Sequence, residues 1–155
     1  RTKYSYEEFW ESVSYYQGNH SPISECKKNE GFSRAWLHHS GRNKHHFEYW
    51  YEYLSPDSMP VIPYKYAVEM LCDYLGAGQA YEKKNWSPES EWRWWLNKRK
   101  HCVMHPVIDL FITKCLDNIR MCGIDWLTKD NVEYVYYDDC LRNFNAGITT
   151  TILGV

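Results

Sequence analysis

The sequence predicts an all-α protein, a helical bundle, on the strength of three observations. Apolar residues recur mostly at three- and four-residue spacing in successive segments of the chain, which is the period of an amphipathic helix. Prolines, Ser-Gly and Ser-Pro pairs separate these segments, as expected at helix boundaries. The length of 155 residues suits one compact domain, and a hydrophobic share of 44% is enough for its core.

The first predicted helix presents one apolar face. That face is formed by Tyr6, Phe9, Trp10, Val13 and Tyr16. The turn-rich segment 18–24 ends this helix, and a second helix follows over about 30–39. We expect Ser40 and Gly41 to break the second helix, so that Asn43 caps a third helix with His46 in its first turn.

Further helices are predicted along the rest of the chain. A loop with three prolines covers 55–63, and the helices after it span about 64–81, 87–96 and 105–121. A last helix is predicted to start at a capping box made by Asp130 and Glu133, although its β-branched and aromatic residues also suit a strand. The tail is expected to be a short β or irregular segment. We therefore divide the chain into a helical domain, 1–122, and a C-terminal extension, 123–155.

Composition and charge limit the function classes. The formal net charge of −2 gives no strong nucleic-acid signal, because a nonspecific nucleic-acid binder needs a basic surface. No apolar run approaches the about 20 residues needed to cross a membrane. The six cysteines form no CxxC pair, and Cys72 and Cys115 fall in apolar helical patterns. This usage predicts buried free thiols and a cytoplasmic protein.

Four of the seven histidines lie within residues 35–50. They are His38, His39, His45 and His46. Neutral imidazole is the commonest metal-binding side chain at physiological pH. On one straight helix, His39 and His46 would share a face but lie about 10 Å apart along the axis. A break at Gly41 would let them converge on one ion, and two ions about 3.5–4 Å apart are the alternative.

A carboxylate on the helix predicted at 64–81 completes this pattern. Asp73 could supply an oxygen ligand to Fe, Mn or Zn, and Glu69, one turn before it, could orient a histidine. The same histidines could instead be surface or half-buried polar residues, and Asp73 a solvated carboxylate. The residues alone leave both interpretations open.

Five short motifs occur in order along residues 1–118. They read RTKYSYEEF from Arg1, HSGRNKHHFEYW from His39, EMLCDYLGAG from Glu69, WWLNK from Trp94 and MHP from Met104. In these motifs the chain resembles an uncharacterised family of small bacterial and phage proteins with no established activity. That family carries HD-x-S-K-(F/Y)-S, H-x-x-R-N-x-H-H, E-M-x-x-D and W-x-x-N-K, then His-Pro. Thr2 stands where the family has Ser, and the residues after Asn118 fall outside the resemblance.

A more distant resemblance is to the HD superfamily of metal-dependent phosphohydrolases. Its binuclear branch has the order His, His-Asp with a Lys three residues later, His, His-His, Asp. The order of His39, His45-His46 and Asp73 is similar, and Lys3 matches the lysine. The first His and the His-Asp pair are expected upstream of Arg1, so we expect the helical domain to be incomplete at its N-terminus. The resemblance implies an HD-domain-like helical bundle.

The HD resemblance also implies an activity. It implies a phosphohydrolase that cleaves a nucleotide or another small phosphorylated molecule at a mono- or binuclear His/Asp site holding a divalent metal. The implied ligands are His39, His45, His46 and Asp73. Lys3, Arg42 and Lys98 are candidates to hold the phosphate, and Asn43 to orient it. Arg42 and Lys98 are chosen only for their positions beside motif residues, and an ordinary surface role suits them equally.

A competing interpretation comes from another class of function. A non-catalytic nucleotide-binding or protein-interaction module, encoded by a phage, fits the aromatic share of 17% as well as an enzyme does. A homo-oligomer is compatible with either interpretation. A histidine-containing helix followed by His-Asp directly before Arg1 would favour the enzyme, and its absence would favour a binding role.

Overall fold

The computed structural model describes residues 6–16, 21–54 and 58–148, and this part of the chain is helical without any strand. The α-helices are α1 (Tyr6–Ser14), α2 (Pro22–Glu30), α3 (Arg34–Arg42), α4 (Tyr64–Glu82), α5 (Pro88–Lys98), α6 (Pro106–Cys122), α7 (Lys129–Tyr134) and α8 (Arg142–Asn145). A 3₁₀-helix spans Phe47–Trp50, and a π-helix, Val135–Leu141, joins α7 to α8. The prediction of an all-α protein is confirmed.

Helix starts follow the serine and proline signals of the sequence. Ser87 and Ser90 form a reciprocal capping box before α5, with Pro88 in the first turn. The same signal starts α2, where the Ser21 hydroxyl accepts from the Ser24 amide at 3.3 Å. The expectation that 18–24 is only a turn is therefore wrong for its last residues. Helix α7, which the sequence predicted as the last helix, is capped by Thr128 and not by the predicted box. The Thr128 hydroxyl accepts a hydrogen bond from the Asn131 amide.

The core is built around α6. Eight of its residues are buried: Val107, Ile108, Phe111, Ile112, Thr113, Cys115, Leu116 and Ile119. All of them except Thr113 pack in one cluster with Met70 and Leu71 of α4 and with the fully buried Trp95 of α5. The indole of Trp95 donates to the Thr113 hydroxyl at 2.8 Å, so its polar atom is satisfied inside the core. Helices α4 and α5 are thereby fixed against α6.

The C-terminal helices join the same core. Val132, Val135, Tyr136 and Cys140 are buried in the cluster that contains α6. The Tyr136 hydroxyl donates to the carbonyl of Ile62 at 2.6 Å, which ties the π-helix to the start of α4. Where the sequence left helix and strand open for residues 132–137, the structure has helix. The segment 149–155, which held most of the expected β or irregular tail, lies outside the described residues.

Cysteine burial differs from the prediction at one position. All six cysteines are free thiols. Cys115 is buried as expected, but Cys72 is exposed. Cys72 lies on α4 beside the buried Leu71, so one residue of helical rotation places it on the solvent side. No helix in the described part of the chain has the length and apolarity that a membrane crossing requires.

Helix α3, which carries His38 and His39, is held at its N-terminus by α1. The Glu11 carboxylate accepts a hydrogen bond from the Ser33 hydroxyl at 2.5 Å and another from the Arg34 amide at 2.9 Å. Burial raises the pKa of Glu11, but these hydrogen bonds outweigh burial, and the pKa lies below its usual value. Glu11 is therefore a charged anchor for the first turn of α3 at neutral pH.

Two glycines of α4 give a matched stability test. A Cβ on Gly78 would lie 1.9 Å from Oε2 of the buried Glu91, which accepts from the Trp86 indole at 2.7 Å. A Cβ on Gly76 would meet nothing within 4 Å. We expect Gly78→Ala to lower the free energy of unfolding by about 1–3 kcal/mol, because the Glu91–Trp86 bond must break. Gly76→Ala should raise it by about 0.5–1 kcal/mol.

Urea unfolding followed by circular dichroism measures both values. Equal stabilisation by the two alanines would show that Glu91 is not held against α4.

Candidate metal centre

Three of the four clustered histidines converge in the folded chain. His39 lies in the last turn of α3, and His45 and His46 follow the end of that helix. One ligand atom from each imidazole lies within 4.8 Å of the other two. The ring centres are 4.3 Å apart for His45 and His46, and 4.7 Å apart for His39 and His46. The predicted convergence of these three side chains is present.

The convergence depends on where α3 ends. The helix continues through Gly41 to Arg42, so the predicted break at Ser40-Gly41 is wrong. The Ser40 hydroxyl donates to the Trp36 carbonyl at 2.8 Å, which keeps the serine compatible with the helix. The chain leaves the helix at Asn43, whose backbone is extended. The break thus comes two residues later than expected but still separates His39 from the other two histidines.

Asn43 caps the end of α3 instead of starting a third helix. Its side-chain amide donates to the His39 carbonyl at 2.7 Å and lies 3.2 Å from Nδ1 of the His39 ring. The Asn43 carbonyl accepts from the His46 amide at 3.0 Å, so the chain turns at once. The indole of Trp50 donates to the Lys44 carbonyl at 2.7 Å and holds that turn from outside. Two consecutive histidines are thereby folded back onto His39.

His46 is the most enclosed member of the cluster. It is 4% exposed, and the Trp36 ring meets it edge to face at a centroid distance of 5.0 Å. Burial, followed by the charges of His45, His39 and Lys98, lowers the pKa of His46 to about 3. The ring is therefore neutral at physiological pH. Its Nε2 atom is buried and has no hydrogen-bond partner among the described residues.

A carboxylate from α4 reaches the cluster. Oε1 of Glu69 lies 3.3 Å from Nδ1 of His45, in agreement with the expectation that Glu69 would contact a histidine. Asp73 lies one turn further along α4, is exposed, and is outside the group of converging ligand atoms. The carboxylate that the structure places against the histidines is therefore that of Glu69.

The predicted phosphate-holding residues have different surroundings. Lys98 ends α5, with its Nζ 5.7 Å from the ring centre of Phe47, next to His46 in sequence. Arg42 is exposed, and its Nη1 lies 3.0 Å from Nε2 of His38. Lys3 lies outside the described residues. The charge of Lys98 acts on the cluster, since it helps to lower the pKa of His46.

Two charged residues near the cluster were missed from the sequence. Nζ of Lys27, on α2, lies 4.4 Å from the ring centre of Trp36. Glu48, two residues after His46, has a buried Oε2 without a hydrogen-bond partner in the described chain. Burial raises the pKa of Glu48, against the effects of its own backbone N–H and the charges of Lys98 and Lys27. Glu48 lies within a recognised motif, whereas no local signal identifies Lys27.

The three imidazoles fit a transition-metal ion. An ion bound at about 2.0–2.1 Å from each nitrogen holds tetrahedral ligands about 3.4 Å apart. Nitrogens already within 4.8 Å of one another need side-chain movements on the order of 1 Å to reach this geometry. The unpartnered Nε2 of His46 has the neutral, buried form that a ligand requires. Three protein nitrogens also leave one tetrahedral position open.

The fold and this cluster define an all-α protein with a three-histidine candidate metal centre. The chain belongs to a family of unknown function, DUF5662, whose model matches residues 1–118. That span contains all five motifs, so the resemblance to an uncharacterised family is confirmed. Neither a curated protein nor a solved structure matches the chain significantly.

Asn43 can be tested against a matched asparagine. The side chain of Asn29 makes the same kind of bond on α2, donating to the Glu25 carbonyl at 2.8 Å, with no histidine beside it. We expect Asn29→Ala and Asn43→Ala each to lower the free energy of unfolding by about 1 kcal/mol. Only Asn43→Ala should also shift the imidazole NMR signals of His39, His45 and His46. Unchanged signals would mean that Asn43 does not position the cluster.

Proposed function

We propose that His39, His45 and His46 bind a divalent Fe, Mn or Zn ion, and that the protein is a phosphohydrolase acting on a nucleotide or another phosphoester. The observation that carries the proposal is the convergence of three imidazoles, one of which, His46, has a buried Nε2 without a partner in the described chain. Leaving such an atom unsatisfied costs about 1–3 kcal/mol, which binding an ion would offset.

The number of protein ligands favours catalysis over a purely structural ion. Structural zinc sites are closed by four protein ligands, whereas catalytic sites use three and leave a position open. A divalent ion held this way supplies a Lewis acid and a hydroxide nucleophile near neutral pH. Glu69 would hold the ring of His45, and Asn43 that of His39, so that both present a fixed face to the ion.

Phosphoester hydrolysis is favoured by the order of the residues and by a nearby cation. The order His39, His45-His46, Asp73 resembles that of the HD superfamily, and an HD-domain-like fold is part of the same proposal. Lys98 would hold a phosphate beside the cluster and offset the charge that develops on its oxygens. Arg42 contacts His38 on the exposed side of α3, which makes it a weaker candidate for this role.

Metal content is the decisive measurement. Protein purified without chelator should carry about one equivalent of Fe, Mn or Zn by inductively coupled plasma mass spectrometry, since the cluster offers one set of three nitrogens. His45→Ala and His46→Ala should lose it, because two nitrogens hold an ion poorly. His101→Ala, at an exposed histidine, is the matched control and should keep it. A wild-type protein that contains no metal and binds none on addition would contradict the proposal.

The two carboxylates of α4 should differ in their effect on metal affinity. Glu69→Ala should weaken binding about 10- to 100-fold, as is typical when the partner of a ligating histidine is removed. Asp73→Ala should change affinity less, because the exposed Asp73 lies outside the converging group. Competition with a chromophoric chelator gives both constants. A larger loss in the Asp73 variant would show that Asp73 is the ligand and that α4 moves on metal binding.

The second candidate is a non-catalytic interaction module. It is favoured by the apolar face of α1, which stays largely outside the core, with Tyr6 73% and Phe9 58% exposed. The neighbouring α3 adds Leu37, 63% exposed. Exposed apolar side chains on neighbouring helices are typical of protein contact sites. The metal analysis separates the two candidates, because an interaction surface on α1 needs no ion at the histidines.

A further inference from the structure

Two lysines from distant parts of the chain have their ammonium groups over aromatic rings next to the histidine cluster. Nζ of Lys27 stands 4.4 Å from the ring centre of Trp36, and that ring meets His46 edge to face at 5.0 Å. Nζ of Lys98 stands 5.7 Å from the ring centre of Phe47. Phe47 follows His46 in the chain, so both ammonium groups lie over rings next to the cluster. An ammonium has three donors, so each can still contact an anion from this position.

The two ammonium groups act on each other and on one buried carboxylate. Burial and then the charge of Lys98 lower the pKa of Lys27, so the cations are close enough to repel. Both act on Glu48, but Oε2 of Glu48 accepts no hydrogen bond from either. In the described part of the chain Lys28 forms an ion pair with Glu25, whereas neither Lys27 nor Lys98 forms one with Glu48. The donors of Lys27 and Lys98 are therefore not used up by Glu48.

We propose that Lys27 and Lys98 together form an anion site beside the histidine cluster that takes a terminal phosphate group, so that the substrate is a phosphomonoester rather than a phosphodiester. This inference rests on the proposed phosphohydrolase function and adds a residue, Lys27, and a substrate class to it. Lysine binds phosphate as a point charge, and two lysines from different helices can contact two oxygens of one group.

The charge balance favours a dianion. Two ammonium groups face one carboxylate, Glu48, so the lysine side of the site has an excess of positive charge before any metal is counted. A terminal phosphate carries nearly two negative charges at neutral pH, and a diester carries one. Two positive charges attract a dianion more strongly than a monoanion. A monoester therefore complements this site better than a diester.

Phosphate binding can be measured without turnover. Isothermal titration calorimetry with inorganic phosphate, at about pH 8 where the dianion dominates, compares Lys27→Gln and Lys98→Gln with wild type. Glutamine keeps most of the stem on the aromatic ring, so packing is retained. We expect each variant to bind phosphate at least tenfold more weakly. The matched controls are Lys28→Gln, next to Lys27 in the chain and largely exposed, and Lys100→Gln, exposed and two residues after Lys98, and both should stay within twofold.

A separate binding comparison tests the substrate class. Methyl phosphate should bind at least tenfold more tightly than dimethyl phosphate, and Glu48→Gln should tighten the binding of inorganic phosphate by removing the opposing charge. Equal affinity for the two esters, equal loss in all four lysine variants, or no phosphate binding by the wild type would overturn the inference. Circular dichroism melts confirm that each variant is folded.

Metal analysis on the same samples separates this inference from the proposed function. The lysine variants should retain the metal, because neither lysine is a ligand. Metal retained without phosphate binding would leave the metal centre standing and remove the lysine site. Phosphate bound through Lys27 and Lys98 by a protein that takes up no metal would support the lysine site and contradict the metal centre.

Discussion

The closure of α3 by Asn43 is the constraint on which the candidate site depends. The Asn43 amide holds the His39 carbonyl, and the Asn43 carbonyl receives the His46 amide. One residue thus ends the helix and starts the reversal that returns the chain to its own last turn. Three imidazoles from eight consecutive residues meet for this reason, without a long-range contact to bring them together.

The core makes this local arrangement rigid and gives it neighbours. Helix α4, packed on α6 through Met70 and Leu71, brings Glu69 to His45. Helix α5, fixed by the Trp95–Thr113 hydrogen bond, ends at Lys98 near Phe47. The cluster therefore lies where the loop after α3 meets two helices whose positions are set by the central core. Residues that orient a ligand are most effective when they stand on such fixed elements.

The candidate site has a neutral imidazole, His46, near two positively charged lysines. Such a combination would suit a metal ion and an anion bound next to each other. Burial keeps His46 neutral, which is the form that binds a metal. The ammonium groups of Lys27 and Lys98 lie over the aromatic rings of Trp36 and Phe47, and the charge of Lys98 reaches His46, whose pKa it helps to lower. Under the proposed function, a metal ion and a phosphate group would use different side chains of this site.

The sequence by itself determined the helical class, most of the helices from α4 to α6, and the identity of the converging histidines. These follow from signals that act within a few residues: apolar period, serine–proline caps and the spacing of histidines on either side of a helix end. It also led us to expect a contact between Glu69 and a histidine, which the structure has at His45. The Ser21-Pro22 start of α2 carried the same local signal as the start of α5 and was available to the same argument.

Only the tertiary structure decided where α3 ends, which residues of α4 are exposed and that Lys27 lies near the cluster. Glycine and serine lower helix propensity by about 1 kcal/mol or less, which packing and a hydrogen bond from Ser40 overcame, so α3 ran on to Arg42. Which side of α4 faces the core decided that Cys72 and Asp73 are exposed while Leu71 is buried. Lys27 approaches the cluster from a helix whose sequence says nothing about its neighbours. Such proximity is a property of how helices pack, and no pattern confined to one segment encodes it.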